Sequence, residues 1–236
     1  MKIVLVDERI TTSIERGLMH LGLTPIKLPQ DRCLGEAVKS HPDTLMFYNN
    51  GHLVTTADYC EVGAYIFSDI REYCRSVKIS FTSDTRAATY PDDAKLNALA
   101  IGDKIFCNTS VVSRWIIDYA KACGLCLVHV NQGYPACTTL AFGDRAITAD
   151  QGMARVLSDN GIKLLTIEPG HISLPPHEYG FIGGASLVYD NKVCFFGDID
   201  LHPDGKRIRE FITEGGYEIV SLSTDPLVDF GGGIIL

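Results

Sequence analysis

No apolar run in this sequence approaches the about 20 residues that a membrane-crossing helix needs. Basic residues are also few: 21 Lys and Arg stand against 29 Asp and Glu, for a net charge of −8. That balance disfavours nucleic-acid phosphates and anionic membrane surfaces as partners, and tolerates a cationic small molecule. The opening MKIVLVDERI puts Asp7 and Glu8 where a secretory signal needs an unbroken apolar core. It reads as a strand and predicts no export. Eight cysteines without an export signal then fit free thiols in a reducing, cytoplasmic setting.

Cofactor signatures are missing as well. The glycine-rich tracts GFIGGAS and FGGGIIL lack dinucleotide and P-loop spacing, and read as close packing. Cys123 and Cys126 have redox or zinc spacing but no second pair, and read as packing. In DIDLHPD, Asp198, Asp200 and His202 share one side if extended and can hold a divalent ion, although Asp204 reads as the cap of the following helix. The expectation is no metal and no cofactor.

What the sequence does have is a repeat. TLMFYNNGHLVTT (44–56), NALAIGDKIFCNT (97–109), TTLAFGDRAITAD (138–150) and SLVYDNKVCFFGD (186–198) each place apolar strands around a tight turn. The turn pairs Asn50-Gly51, Gly102-Asp103, Gly143-Asp144 and Asp190-Asn191 tolerate positive φ, as hairpins require. A helical stretch and a further strand follow each, giving four hairpin–helix–strand units spaced roughly 40 to 50 residues apart. EVGAYIFSDIREYC reads as the helix of the first of these units. KIVLVD, TTSIERGLMHLG and TPIKLP supply a fifth unit that lacks one hairpin arm, and the final GGGIIL is that arm. The chain is thus expected to be one α/β domain over 1–236, a five-bladed ββαβ α/β-propeller closed by pairing of its C-terminal and N-terminal strands. Closure removes exposed sheet edges.

With its GGG on the last strand, His41-Pro42-Asp43, QGYPAC (132–137) and YGFIGGAS (179–186), this plan resembles the pentein fold, and within it a bacterial branch. That is the fold of guanidino-group-modifying enzymes such as arginine deiminase, agmatine deiminase and dimethylarginine dimethylaminohydrolase. The resemblance implies a polar central funnel in which acidic side chains grip a guanidinium group. It also implies a cysteine at the end of a G-G-G-x-H-C strand, where this chain has Ile235 and Leu236 instead. The family's G-H-x-D base motif meets Gly170-His171-Ile172-Ser173 here, with serine in place of the carboxylate.

Candidate chemistry therefore shifts to other residues. Cys137 opens a hairpin that faces the funnel, as a relocated nucleophile or as a small buried filler of the axis. His171 follows Pro169-Gly170 at a strand end and is the candidate base, with Glu178 or Asp150 as orienting carboxylate and His177 as the weaker imidazole. His41-Pro42-Asp43 and Tyr90-Pro91-Asp92 read as repeated corners. Asp43, Asp92, Asn97, Asp150 and Asp229 are the candidate ligand-binding groups. Three readings stay open: a cysteine-dependent hydrolase or transferase acting on a guanidino or amide compound, a catalytically silent pentein binding a cationic metabolite, and a protein-binding module. The oligomeric state has no signature in the sequence.

Overall fold

In the computed structural model, which describes residues 2–236, the chain forms five three-stranded sheets. The first unit contains β1 (Lys2–Asp7), α1 (Thr12–His20) and β2 (Leu23–Leu28). The second begins with the single-turn helix α2 (Pro42–Leu45). It continues through β3 (Met46–Asn49), β4 (His52–Thr56), α3 (Ala57–Val62), α4 (Ala64–Tyr73) and β5 (Lys78–Thr82). The third has β6 (Leu99–Ile101), β7 (Lys104–Cys107), α5 (Arg114–Ala122) and β8 (Cys126–His129). The fourth has α6 (Pro135–Thr138), β9 (Thr139–Phe142), β10 (Arg145–Thr148), α7 (Gln151–Asp159) and β11 (Lys163–Thr166). The fifth has β12 (Ser186–Tyr189), β13 (Lys192–Phe195), α8 (Gly205–Glu214) and β14 (Glu218–Ser221).

In units two to five an antiparallel hairpin is followed by a helical crossover to a third strand, parallel to the middle one. The hairpin turns are set by local chemistry. Asn50 and Gly51 have φ of 46° and 76°, the twist that a two-residue hairpin loop needs. In the first unit the missing arm is β15 (Ile234–Ile235), which pairs antiparallel with β1 through Val4–Ile235 and Leu5–Ile234. The GGGIIL segment thus lies against KIVLVD, as the repeat predicts.

Apolar side chains sort into five clusters, each between two sheets. Ile3 and Leu5 pack with Leu45 and Leu53, Phe47 with Ile105, Phe106 with Ala146, Ile147 with Phe195, and Leu187 and Cys194 with Val4 and Val6. Residues 3–6 are all fully buried, and each such large aliphatic contributes about 1.5–3 kcal/mol by leaving water. The third strands, such as β8 and β14, have exposed end residues and half-buried middle ones and form the outer edges.

Some local expectations change. The helix read through EVGAYIFSDIREYC is two helices, because Gly63 interrupts it between α3 and α4. Cys123 and Cys126 are exposed rather than packed, and all eight cysteines are free. No helix among the described residues is long and apolar enough to cross a membrane.

Candidate functional site

The inner strands bring several corners to one place. α2 starts with Pro42, whose fixed φ suits the first helical turn, and His41 occupies the capping position with extended backbone. This turn delivers His41 and Asp43. α6 begins in the same way at Pro135 and delivers Cys137. Asn97 precedes β6 and accepts the Ala136 N–H at 2.8 Å through Oδ1, tying the third and fourth units together. Asp229 approaches from the segment before β15.

Asp229 anchors the group. Its Oδ2 accepts the Phe181 N–H and its Oδ1 the Gly231 N–H, both at 2.9 Å. The Cys137 thiol donates to the same carboxylate, with Sγ 3.3 Å from Oδ2. The glycines around it are a steric requirement: a Cβ at Gly184 would overlap Asp229 Oδ1, and one at Gly231 would overlap His41. His41 Nδ1 lies 3.8 Å from Asp229 Oδ1 and 3.9 Å from Asp43 Oδ1. Its Nε2 lies 3.7 Å from Asp7 Oδ2 at the end of β1.

The electrostatics follow from burial. Asp43 is pushed from 3.8 up to about 8, first by burial and then by the Asp229 charge. The Cys137 thiol is raised well above 9.0 by burial and by the Asp229 and Asp43 carboxylates. Burial lowers His41 below 6.5 against the pull of Asp229 and Asp7. In the free protein the thiol is thus protonated and the imidazole neutral at neutral pH.

Two cavities meet this group without sharing a lining residue. One, of 410 Å³, runs between β3, β6, β12 and β15 and reaches Asp43. The other, of 690 Å³, is lined by loops and has Cys137 on its surface, with Tyr90, Asp93, Tyr134, His177 and Glu178 around it. Asp93 lines this larger cavity. Its Oδ2 accepts the Tyr134 hydroxyl at 2.8 Å, while its Oδ1 is buried without a partner.

Of the residues singled out from sequence, Cys137, Asp43, Asn97 and Asp229 come together. Asp92 instead points outward and pairs with Lys95 at 3.0 Å. Asp150 caps α7 by accepting the Met153 N–H and also binds Gln132. His171 is not brought to Cys137: it is half-exposed, 3.7 Å from Glu168, with its ring edge-on to His202. In DIDLHPD, Asp198 caps a short 3₁₀ turn, Asp200 pairs with Arg209, and buried His202 accepts the Asp204 N–H. Asp204 stands at the start of α8 but bonds the Glu168 N–H and Arg207 rather than that helix's own amides. Sequence reasoning missed Asp7, Asp93 and the inward role of His41. Asp93 had a signal, as the second acid of Pro91-Asp92-Asp93.

Solved structures share this fold at low identity. A dimethylarginine dimethylaminohydrolase mutant from Pseudomonas aeruginosa, complexed with citrulline, is 12% identical with a TM-score of 0.56, over 94% of this chain and 92% of that one. An amidinotransferase of the saxitoxin pathway from Microseira wollei is 12% identical at a TM-score of 0.56, over 92% and 76%. The agmatine deiminase of C. jejuni is 8% identical at a TM-score of 0.56, over 94% and 87%. No curated protein matches the sequence. A family model described as "Family of unknown function (DUF6873)" matches residues 5–235. The chain belongs to that family, and its fold is the pentein fold.

Proposed function

We propose that this chain is a closed five-bladed pentein that binds a small guanidino or amidino cation in its 690 Å³ cavity. The pairing of β15 with β1 and the apolar cluster joining the first and fifth units support the closed ring. The observation that carries the ligand class is unbalanced charge. Asp43, Asp93 and Asp229 stand at or just behind this cavity, and none has a Lys or Arg partner among the described residues. Buried carboxylates without a cation are costly, and a planar guanidinium offers them donors as well as charge. Asp93, with its unpartnered Oδ1, is the open acceptor among the lining residues, Asp229 supplies negative potential behind Cys137, and Asp43 adds to it on losing its proton. The structural neighbours named for agmatine, dimethylarginine and amidino transfer fit that ligand class.

The test is calorimetric titration of the chelator-treated chain with agmatine and with the neutral ureido compound citrulline. Agmatine binds and citrulline does not. Asp93→Asn weakens agmatine about tenfold or more, the loss of one charge-assisted bond of about 1.5–3 kcal/mol. Equal affinity for both compounds contradicts the reading.

The position of Cys137 on the cavity surface favours a second reading, in which the bound compound is also transformed. Attack on an amidinium carbon needs a thiolate, and the free site holds a thiol. A cation seated against the sulfur pulls its pKa down, so the ligand itself would generate the nucleophile. Release of ammonia or an amine from guanidino compounds, abolished in Cys137→Ser, is the outcome that adds catalysis to binding.

A further inference from the structure

Behind Cys137 the polar atoms converge, and apart from the hydrogen bond of the thiol to Asp229 they leave two side chains unpartnered. His41 is fully buried and neither of its ring nitrogens has a hydrogen-bond partner, and both Asp43 oxygens are in the same condition. One ligand atom each from His41, Asp43 and Cys137 lies within 4.8 Å of the others. From His41 Nδ1 to Asp43 Oδ1 is 3.9 Å, from His41 Nδ1 to Asp229 Oδ1 is 3.8 Å, and from Cys137 Sγ to that same Asp229 oxygen is 3.6 Å. The imidazole–carboxylate separations are too long for hydrogen bonds. They lie within about 0.6 Å of the edges of a coordination tetrahedron. Zinc bonds of about 2.0–2.1 Å to N and O and about 2.3 Å to S imply ligand–ligand edges of roughly 3.3–3.7 Å.

We propose that His41 Nδ1, an Asp43 oxygen, Cys137 Sγ and Asp229 Oδ1 form a binding site for a divalent transition metal of the zinc class. The donor set selects against hard ions, since a thiolate and an imidazole suit zinc or cobalt and not magnesium or calcium. Asp229 Oδ1 accepts the Gly231 N–H and the thiol, and loss of the thiol proton on metal binding frees the second lone pair for the metal. A candidate outer-shell carboxylate stands 3.7 Å from His41 Nε2, a gap that a metal-bound ring would close to a hydrogen bond. His41 Nε2 faces the Asp7 carboxylate, which Arg9 holds through Nε at 2.9 Å and Nη2 at 2.6 Å. A carboxylate behind the second ring nitrogen fixes the tautomer and orientation of a metal-bound histidine. Binding displaces the protons of Cys137 and Asp43, and the two charges of the metal offset all but one of the three negative charges that result.

This site needs only these four groups and stands independently of the guanidino reading. Where both hold, metal and organic cation oppose each other, because the metal caps the Cys137 sulfur and consumes the negative potential of Asp43 and Asp229.

The test is titration of the reduced, chelator-treated full chain with Co²⁺, followed by absorption spectroscopy. Expected are one bound equivalent, visible bands of tetrahedral intensity, a near-ultraviolet thiolate-to-cobalt band, and displacement of the signal by Zn²⁺. The exposed Cys33, Cys123 and Cys126 are the competing sources of a thiolate band. Cys137→Ser removes the band, whereas Cys33→Ser and the Cys123→Ser/Cys126→Ser pair keep it. Asp7→Asn, which leaves all four ligands in place, weakens affinity about 10- to 100-fold as a positioning residue. Absence of tetrahedral bands in the wild type, or a thiolate band that survives Cys137→Ser, overturns the proposal. Agmatine titration of the chelator-treated protein is read separately, so failure of either idea leaves the other standing.

Discussion

Two histidine–carboxylate groups in this chain are built in opposite ways. Around His41 the groups are buried or nearly so, the ring nitrogens lack partners, and two acids face one thiol with no arginine or lysine beside Asp43 or Asp229. Around His171 the imidazole and Glu168 are exposed, and the neighbouring Asp204 is neutralised by Arg207 and the Glu168 N–H. His202 keeps one unpartnered nitrogen, but its neighbours are a second imidazole and backbone, with no thiol in reach. Residue types alone make the two groups look alike. Burial and charge balance separate them: the first is a buried acidic group with no cation beside it, and the second is a largely solvated loop.

The largest expected difference is in stability. Asp229→Ala leaves the buried Phe181 and Gly231 N–H groups without acceptors, at about 1–3 kcal/mol each, so denaturant unfolding loses about 3 kcal/mol or more. Glu168→Ala in the exposed group stays within about 0.5 kcal/mol. Similar losses for the two would erase the distinction.

The next contrast is in pH dependence. Asp43 has a folded pKa raised from 3.8 to about 8, so the folded state holds a proton that the unfolded state releases. Its stabilising contribution is fully present below 3.8, is lost progressively as pH rises from there to about 8 at up to about 1.4 kcal/mol per unit, and changes no further above that. His41 has the opposite sign: its depressed pKa removes stability as pH falls below 6.5. Asp43→Asn removes the decline between about pH 4 and pH 8 and leaves the His41 loss below 6.5. Unfolding free energies of wild type and variant across pH check this, and parallel curves would contradict it.

Thiol reactivity sharpens the comparison further. At pH 8, alkylation read site by site leaves Cys137 about tenfold or more slower than exposed Cys123 and Cys126. A fast Cys137 would mean that the carboxylates do not hold its proton. The smallest effect belongs to His171→Ala, within about 0.5 kcal/mol and with agmatine affinity unchanged. Loss of ligand binding or turnover in that variant would bring the exposed loop into the site.

The division between legible and illegible follows the same physics. Turn pairs such as Asn50-Gly51 announce themselves because few residues accept positive φ, so the repeat and the β15–β1 pairing could be read from spacing. Asp43, Asn97, Cys137 and Asp229 were readable as corners of the repeat. His41 read as part of a structural turn, since nothing local indicates that its ring turns inward to Asp229 and Asp7. Asp150 looked similar to Asp43 but is consumed by capping α7. Its place directly before QGMARV was the available signal. Asp92 and Asp93 are adjacent, so one faces water while the other reaches Tyr134. That choice depends on packing between units, which a single segment does not encode.

The most direct measurement of the central claim is the proton count on ligand binding, from agmatine titrations of chelator-treated protein at pH 7 in buffers of different ionisation enthalpy. A guanidinium entering a field of buried carboxylates should ionise Asp43 or Cys137 and release close to one proton per molecule bound. Binding with no proton released, or citrulline bound as well as agmatine, would show that no such field governs this cavity.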